Sequence, residues 1–331
     1  MSSTPPPPVF IVGTPRSGTT LVRLLLDSHP DLAVAPESGY LFRLAQRAAH
    51  HYGDLSTEEG VRKYVRDISQ SPRVRDWFPQ SFDATPLLQK VRESGRVEAR
   101  DVLAEVYAHY ARCRNKRAWG DKTPRNIEFF SEITSLFPNA KFLIVVRDCR
   151  DVFLSLREVK FGKLSAASSA LRWQTDARRA RFLATEHPDK VRVIRYEDLL
   201  QRPKEMLPEI LSFFELRGDV DLEDLYLRHD DDVKHSKSSL YKQPISPKNL
   251  DRWKTTISQR DLAICEAVAG SEMKMLGYEP RLENPRIASY VLALYRIGDK
   301  LSRLYNRTFL ENYIGFTKLA ARRILEQVVG G

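Results

Sequence analysis

The segment Gly13-Thr14-Pro15-Arg16-Ser17-Gly18-Thr19-Thr20 sets two glycines with four residues between them and supplies the gap and its flank with hydroxyls and one arginine. Such a loop can hold a tetrahedral anion. Glycines let the backbone wrap closely, several N–H groups then point inward, and a following helix adds the positive end of its dipole. The flanks supply that context. Val9-Phe10-Ile11-Val12 is apolar at every position and reads as a buried parallel strand. Thr19–Ser28 carries Leu21, Leu24, Leu25 and Ser28 at helical spacing, stopped by His29-Pro30. Strand, glycine loop and helix together make a P-loop-like unit. A nucleotide hydrolase would carry Lys directly after the second glycine. Here Thr19 stands there and the cation comes earlier, as Arg16, which disfavours an ATPase or GTPase.

Three further clusters could do chemistry. Lys141–Arg147 (KFLIVVR) reads as a second buried strand, followed by a helix from about 150 to 160. Arg147 at the strand end and Ser155 eight residues on could hold a second phosphate, one supplying charge and the other orientation. Taken alone, a pairing of Arg147 with Asp148 or Asp151 explains it as well. Val191–Tyr196 (VRVIRY) reads as a third strand, with Glu197-Asp198 capping the next helix. In Gly120-Asp121-Lys122-Thr123-Pro124 a lysine in a tight turn before a helix is a candidate electrophilic group, a weak signal by itself.

Helical patterns fill 40–51, 57–70, 97–115, 127–136, 165–186, 204–215 and 258–276. Strands alternating with helices predict an α/β fold: a P-loop-like three-layer α/β/α arrangement around a central, mainly parallel sheet. Ligands of such sheets sit at the carboxyl ends of the strands, where all three strand-end loops fall. The polar stretch 228–254, rich in Ser and Lys, reads as a long surface loop.

Composition narrows the class. The chain has 331 residues, 42% hydrophobic and 29% charged, as in a soluble globular protein and unlike a disordered chain or a coiled coil. Its formal net charge of +10 suits an anionic partner. Cys113, Cys149 and Cys265 are an odd set without CxxC spacing, which points to a reducing compartment. No signal peptide and no transmembrane run is read, so the expected location is cytoplasmic, with membrane contact at most peripheral. No His/Cys/Asp/Glu cluster has metal-ligand spacing, and no metal is expected. RNP motifs, zinc fingers and an arginine-rich stripe are missing, so nucleic acid is not an expected partner.

Taken together, TPRSGTTL with LLDSHPD, VVRDCRDVFLS, GDKTP, VIRYEDLLQRP and PISPKNLDRWK resemble the sulfotransferases that use 3′-phosphoadenosine 5′-phosphosulfate (PAPS), over roughly residues 9 to 280. Within that family the motifs are closest to the tyrosylprotein branch and its bacterial relatives. The resemblance implies that Arg16, Ser17, Gly18, Thr19 and Thr20 bind the 5′-phosphosulfate, that Arg147 and Ser155 bind the 3′-phosphate, and that Tyr196 and the 237–252 loop, with Arg252, close over the nucleotide. It implies Glu37 as base and Lys122, with Arg16, as stabiliser of the leaving phosphate. In-line transfer to a hydroxyl needs a base on one side and cations on the other. Burial is expected to raise the Glu37 carboxyl towards a base's working range, although Glu37 also suits the N-terminus of the helical run after it. His29 is read as structural, and His235 as an outside candidate for the base.

The expected organisation is a disordered lead-in at 1–8, a sulfotransferase domain at 9–285 and a basic amphipathic helical extension at 286–331. The extension has eight Lys/Arg against three acids. Packing on the domain or on a second subunit is favoured there over contact with anionic lipid. The acceptor is a hydroxyl on a glycan, lipid or small molecule. The alternatives are a P-loop-type nucleotide kinase or NTPase, and a tyrosylprotein sulfotransferase.

Overall fold

A computed structural model of the chain describes residues 6–39, 41–46, 55–71, 73–78, 82–95, 97–158, 165–218, 247, 250–283, 285–288, 290, 292–295 and 297. Its residues fall into two compact units, Met1–Arg147 with Arg179–Asn249, and Asp148–Arg178 with Leu250–Gly331.

The first unit holds a five-stranded sheet: β1 (Val9–Gly13), β2 (Leu32–Ala35), β3 (Ala118–Lys122), β4 (Lys141–Val146) and β5 (Val191–Arg195). Its order is β2-β3-β1-β4-β5 and every neighbouring pair is parallel. β1 is central and buried at all five positions, as its unbroken apolar run requires. Its residues still alternate between faces. Val9 and Ile11 join an aliphatic core with Leu24, Leu25, Leu143, Leu211 and Phe214. Phe10 points to an aromatic cluster, 5.1 Å from the Phe142 ring and 5.5 Å from Phe42.

Helix α1 (Thr19–Asp27) follows β1, as the periodicity predicts. α2 (Leu41–Gln46), α3 (Glu58–Ser69), α4 (Thr85–Ser94) and α5 (Ala99–Arg112) lie between β2 and β3. A 3₁₀ turn (Pro124–Phe129) and α6 (Phe130–Leu136) lead to β4. The second unit carries α7 (Cys149–Arg157) and the first part of α8 (Ala166–Glu186). The first unit resumes with the end of α8, then α9 (Tyr196–Gln201) and α10 (Pro203–Phe213). In the second unit α11 (Trp253–Thr256) and α12 (Gln259–Met275) complete the described helices. Arg150 is buried there at 2% exposure, donates to both Asp148 oxygens and to Glu266, and lies 3.4 Å from the Trp253 ring centroid.

α4 falls in a stretch where the sequence pattern predicts no helix, and two strands near the site also differ from the sequence reading. β2 is only four residues long and lies at the sheet edge. Side chains satisfy its outer backbone groups: Val34 N–H donates to Asp27 Oδ1 at 2.7 Å, and Arg23 Nη1 donates to the Val34 carbonyl at 3.2 Å. Gly120–Lys122, read as a turn before a helix, is instead the end of strand β3. Most of the late loop at 237–252, His235 and residues 298–331 of the C-terminal extension lie outside the described residues. At the other end Pro7 and Pro8 are buried, and the Pro8 carbonyl accepts the Lys141 N–H at 2.9 Å.

Gly13 ends β1 with φ 144, and a Cβ there would stand 2.3 Å from the Val145 carbonyl oxygen of the neighbouring strand. Backbone cannot yield as a flexible side chain does. Gly13→Ala is therefore expected to cost about 2–4 kcal/mol through strain and overpacking. A urea midpoint equal to wild type would contradict this.

Candidate active site

The register fixes what meets at the carboxyl edge of the sheet. β2 pairs with β3 through Ala35↔Asp121, and β1 pairs with β3 through Ile11↔Lys122. Glu37 lies two residues past β2, Lys122 is the last residue of β3, and the glycine loop leaves β1 between β3 and β4.

In the glycine loop Arg16 adopts φ 76 and Gly18 adopts φ 91. Gly18 caps α1 without any side-chain hydrogen bond, and the first turn of α1 has no acidic residue. The helix start thus keeps its donors and positive dipole for an anion. Ser17 is fully buried, and its hydroxyl has no hydrogen-bond partner among the described residues. A buried hydroxyl without a partner is costly, so it marks a place shaped for something else. Thr19 is buried and Thr20 half-buried on the same turn.

Tyr196 closes one side of this loop. A Cβ on Gly18 would lie 2.2 Å from its ring, so only glycine admits the ring this close. The Arg147 guanidinium carbon lies 5.0 Å from the same ring's centroid. Gly18, Tyr196 and Arg147 are thereby linked through one aromatic ring, from the ends of β1, β5 and β4. Ser155 is buried on α7, in the second unit. Arg252, also there, is half-exposed and pairs with Glu158, whose hydrogen bond raises its pKa.

Lys122 Nζ donates to Glu37 Oε1 at 3.0 Å, and Arg73 Nη1 reaches Glu37 Oε2 at 3.4 Å. The Lys122 side chain is 7% exposed and that of Glu37 39%. Burial alone would push the Glu37 carboxyl up. The charge and hydrogen bond of Lys122 outweigh it, joined by Arg73 and Arg16, and hold the carboxyl below its ordinary value. The direction is opposite to the one burial alone suggests from the sequence. Burial lowers the Lys122 ammonium against the raising pull of Glu37, so its proton is held less tightly than usual. The site therefore carries an ionised carboxylate and a loosened ammonium in contact, with Arg16 close enough for its charge to be felt.

Sequence reasoning missed several residues here. Arg73 follows α3 without any motif. Asp121, Thr123, Ser38 and Tyr107 form a buried hydrogen-bonded cluster. Only the GDKTP pattern hinted at two of them. His29 is structural: its Nδ1 accepts from the Asp31 N–H at 3.1 Å, so the other nitrogen donates to the Arg217 carbonyl at 3.1 Å, and burial lowers its pKa. Glu197 and Asp198 lie in the first turn of α9, where acids favour the dipole.

A sequence model described as the sulfotransferase family matches residues 7–220. The chain belongs to the sulfotransferase family. A protein-tyrosine sulfotransferase 1 of Danio rerio is 25% identical over 298 residues, covering 84% of this chain and 74% of that protein. A protein-tyrosine sulfotransferase of Drosophila melanogaster is 26% identical over 299 residues, covering 84% of this chain but 53% of that protein. The sulfotransferase domain of the Synechococcus olefin synthase shares the fold, with a TM-score of 0.56 and 22% identity over 84% of this chain and 97% of that domain. Membership makes this sulfotransferase an enzyme of group transfer and removes the kinase and NTPase readings. Among the described residues no helix is long and apolar enough to cross a membrane.

The electrostatic balance at Glu37 is testable alone. Lys122→Met removes the strongest charge holding the carboxyl down while burial stays. The Glu37 titration midpoint, followed by carboxyl-carbon NMR, is expected to rise. An unchanged midpoint would mean that the Lys122 contact does not set it.

Proposed function

We propose that the protein transfers a sulfuryl group from PAPS to an acceptor hydroxyl, with Glu37 as base and Lys122 and Arg16 at the leaving group. One observation carries this reading: the Glu37 and Lys122 contact stands beside a glycine loop whose buried Ser17 hydroxyl has no hydrogen-bond partner among the described residues.

The donor fits the residues present. Its 5′ end suits Arg16, Ser17, Gly18, Thr19 and Thr20, which lie in the glycine loop and on the first turn of a helix whose start is free of acids. Its 3′-phosphate suits Arg147, a fixed fork beside the Tyr196 ring. Ser155 and Arg252 remain carried by the resemblance alone. The donor supplies an activated sulfuryl group: the bond from acceptor oxygen to sulfur forms as the bond from sulfur to phosphate oxygen breaks.

The chain's own residues handle the proton and the charge. Glu37 is ionised and can take the acceptor's proton at a carboxylate oxygen. Lys122 donates a hydrogen bond to the phosphate oxygen on which charge develops, and its loosened proton suits that task. Arg16 adds a second cation. Because Lys122 contacts Glu37 in this structure, charge moving onto the leaving phosphate draws Lys122 off Glu37 and leaves the carboxylate more basic at the moment it is needed.

A tyrosyl hydroxyl is the second reading for the acceptor, favoured by the protein-tyrosine sulfotransferases that align over 84% of the chain. A phenol lies closer to a carboxylate in acidity than an aliphatic alcohol does, which suits a base held below its usual value.

Two variants test the assignment. Glu37→Ala is expected to lower transfer from labelled PAPS by at least about 100-fold, the scale of a lost general base, while PAP still binds. Retained turnover would remove Glu37 from the mechanism. Arg147→Ala should weaken binding of PAP far more than that of a nucleotide phosphorylated only at the 5′ position, and equal losses would overturn its role.

A further inference from the structure

One residue along the chain from Lys122, and one from Glu37, lie the members of a polar cluster that the reaction above does not use. Asp121 is 0% exposed. Its carboxylate accepts from Asn126 Nδ2 at 2.8 Å, from the Tyr107 hydroxyl at 3.1 Å and from the Thr123 hydroxyl at 3.3 Å. Thr123 Oγ1 in turn accepts the Ser38 N–H at 2.9 Å and lies 3.1 Å from Ser38 Oγ. Ser38 directly follows Glu37, while Asp121 and Thr123 flank Lys122. The strand ends that carry the two functional groups are thus tied together through the Thr123 hydroxyl, beside the hydrogen bond of Ser38 on Asp121 itself.

The direction of that tie depends on charge. An ionised carboxylate only accepts hydrogen bonds, so it takes the single Thr123 proton. Thr123 Oγ1 is then left as acceptor for Ser38. A buried carboxylate is otherwise a poor choice for a strand end, because taking it out of water is costly even when hydrogen-bonded. Burial pushes Asp121 up to about 6 against the lowering hydrogen bonds of Ser38, Thr123 and Tyr107 and the charge of Lys122. Relative to its ordinary value of 3.8, a raised carboxyl favours the folded state only while protonated. That benefit is full below about pH 4, is lost as pH rises to about 6, and is absent at neutral pH. Asp121 is also among the charges that raise Lys122 against its burial. A group that weakens the fold where it is ionised, and is hydrogen-bonded to the segments that carry two functional residues, has its explanation in what it does to them.

We propose that Asp121 is a positioning residue for sulfuryl transfer. Its carboxylate orients the Thr123 hydroxyl to hold the Ser38 and Glu37 segment against β3, and its charge keeps Lys122 an ammonium facing Glu37. The proposal rests on the assignment of Glu37 and Lys122 given above.

The test uses the full chain with Asp121→Asn, which preserves shape but can donate, so it reverses the polarity of the tie. Four quantities are read: urea stability at pH 7.5, PAP affinity by calorimetry, kcat for transfer from labelled PAPS to a tyrosyl peptide, and the rate of Lys122 acetylation by acetic anhydride relative to Lys141, followed by peptide mass spectrometry. The variant is expected to be at least as stable as wild type at pH 7.5 and to bind PAP within about threefold, while kcat falls about tenfold or more as the pair loosens. Lys122, deprived of a neighbouring negative charge, should acetylate at least about threefold faster relative to Lys141.

Wild-type kcat together with wild-type Lys122 labelling would overturn the proposal. Loss of stability and activity in proportion would also overturn it, since that is the mark of a purely structural residue. Should Asp121→Asn fail to fold, Thr123→Val and Thr123→Ser decide the matter: Val breaks the tie and should lower kcat, and Ser should restore it. Equal kcat in the two would reject the tie. If wild-type protein neither binds PAP nor transfers from PAPS, the proposed function fails, and the Lys122 labelling ratio still decides the role of Asp121.

Discussion

The contact between Lys122 and Glu37 is the constraint on which the site depends. It joins the ends of two neighbouring parallel strands, with the lysine nearly buried and the carboxylate partly open. Burial alone pushes the ammonium's pKa down and the carboxyl's up. Together they hold each other in reactive states: the carboxylate below its ordinary value, the ammonium loosened. Such a pair adds little certain stability, because desolvation offsets much of its attraction. What it provides is two groups of opposite charge held 3.0 Å apart at the edge of the sheet.

The fold makes that placement cheap to maintain. A parallel sheet delivers every strand's carboxyl end to one edge, so residues far apart in the chain converge there without long loops. β1 supplies the anion loop, β2 and β3 the ion pair, β4 the Arg147 fork and β5 the Tyr196 ring. Close packing at the edge fixes their spacing. Gly13 and Gly18 stand where any side chain would strike the Val145 carbonyl or the Tyr196 ring. Part of the overall positive charge lies at the same edge, in Arg16, Lys122 and Arg147.

The central strands were legible in the sequence because burial on both faces leaves an unbroken apolar run, as in β1 and β4. The anion loop was legible because its glycines, hydroxyls and arginine are local in sequence. β2 was hidden. Four residues give no period, and its edge is satisfied by Asp27 and Arg23 rather than by a second strand. β3 was hidden by Gly120 and by the charged residues at its end, which read as a turn. The identities of Glu37 and Lys122 came through resemblance, and their contact came only from register, since 85 residues separate them. The sign of the Glu37 shift could not be read from one chain segment, because it is set by three cations from three others.

We propose that this edge of the sheet is built for a nucleotide phosphorylated at both its 3′ and 5′ positions. A calorimetric titration of the whole chain with PAP and, separately, with ATP tests it most directly. Saturable, one-to-one binding of PAP is expected, at least about tenfold tighter than of ATP, a difference of about 1.4 kcal/mol. Equal or tighter binding of ATP would contradict it.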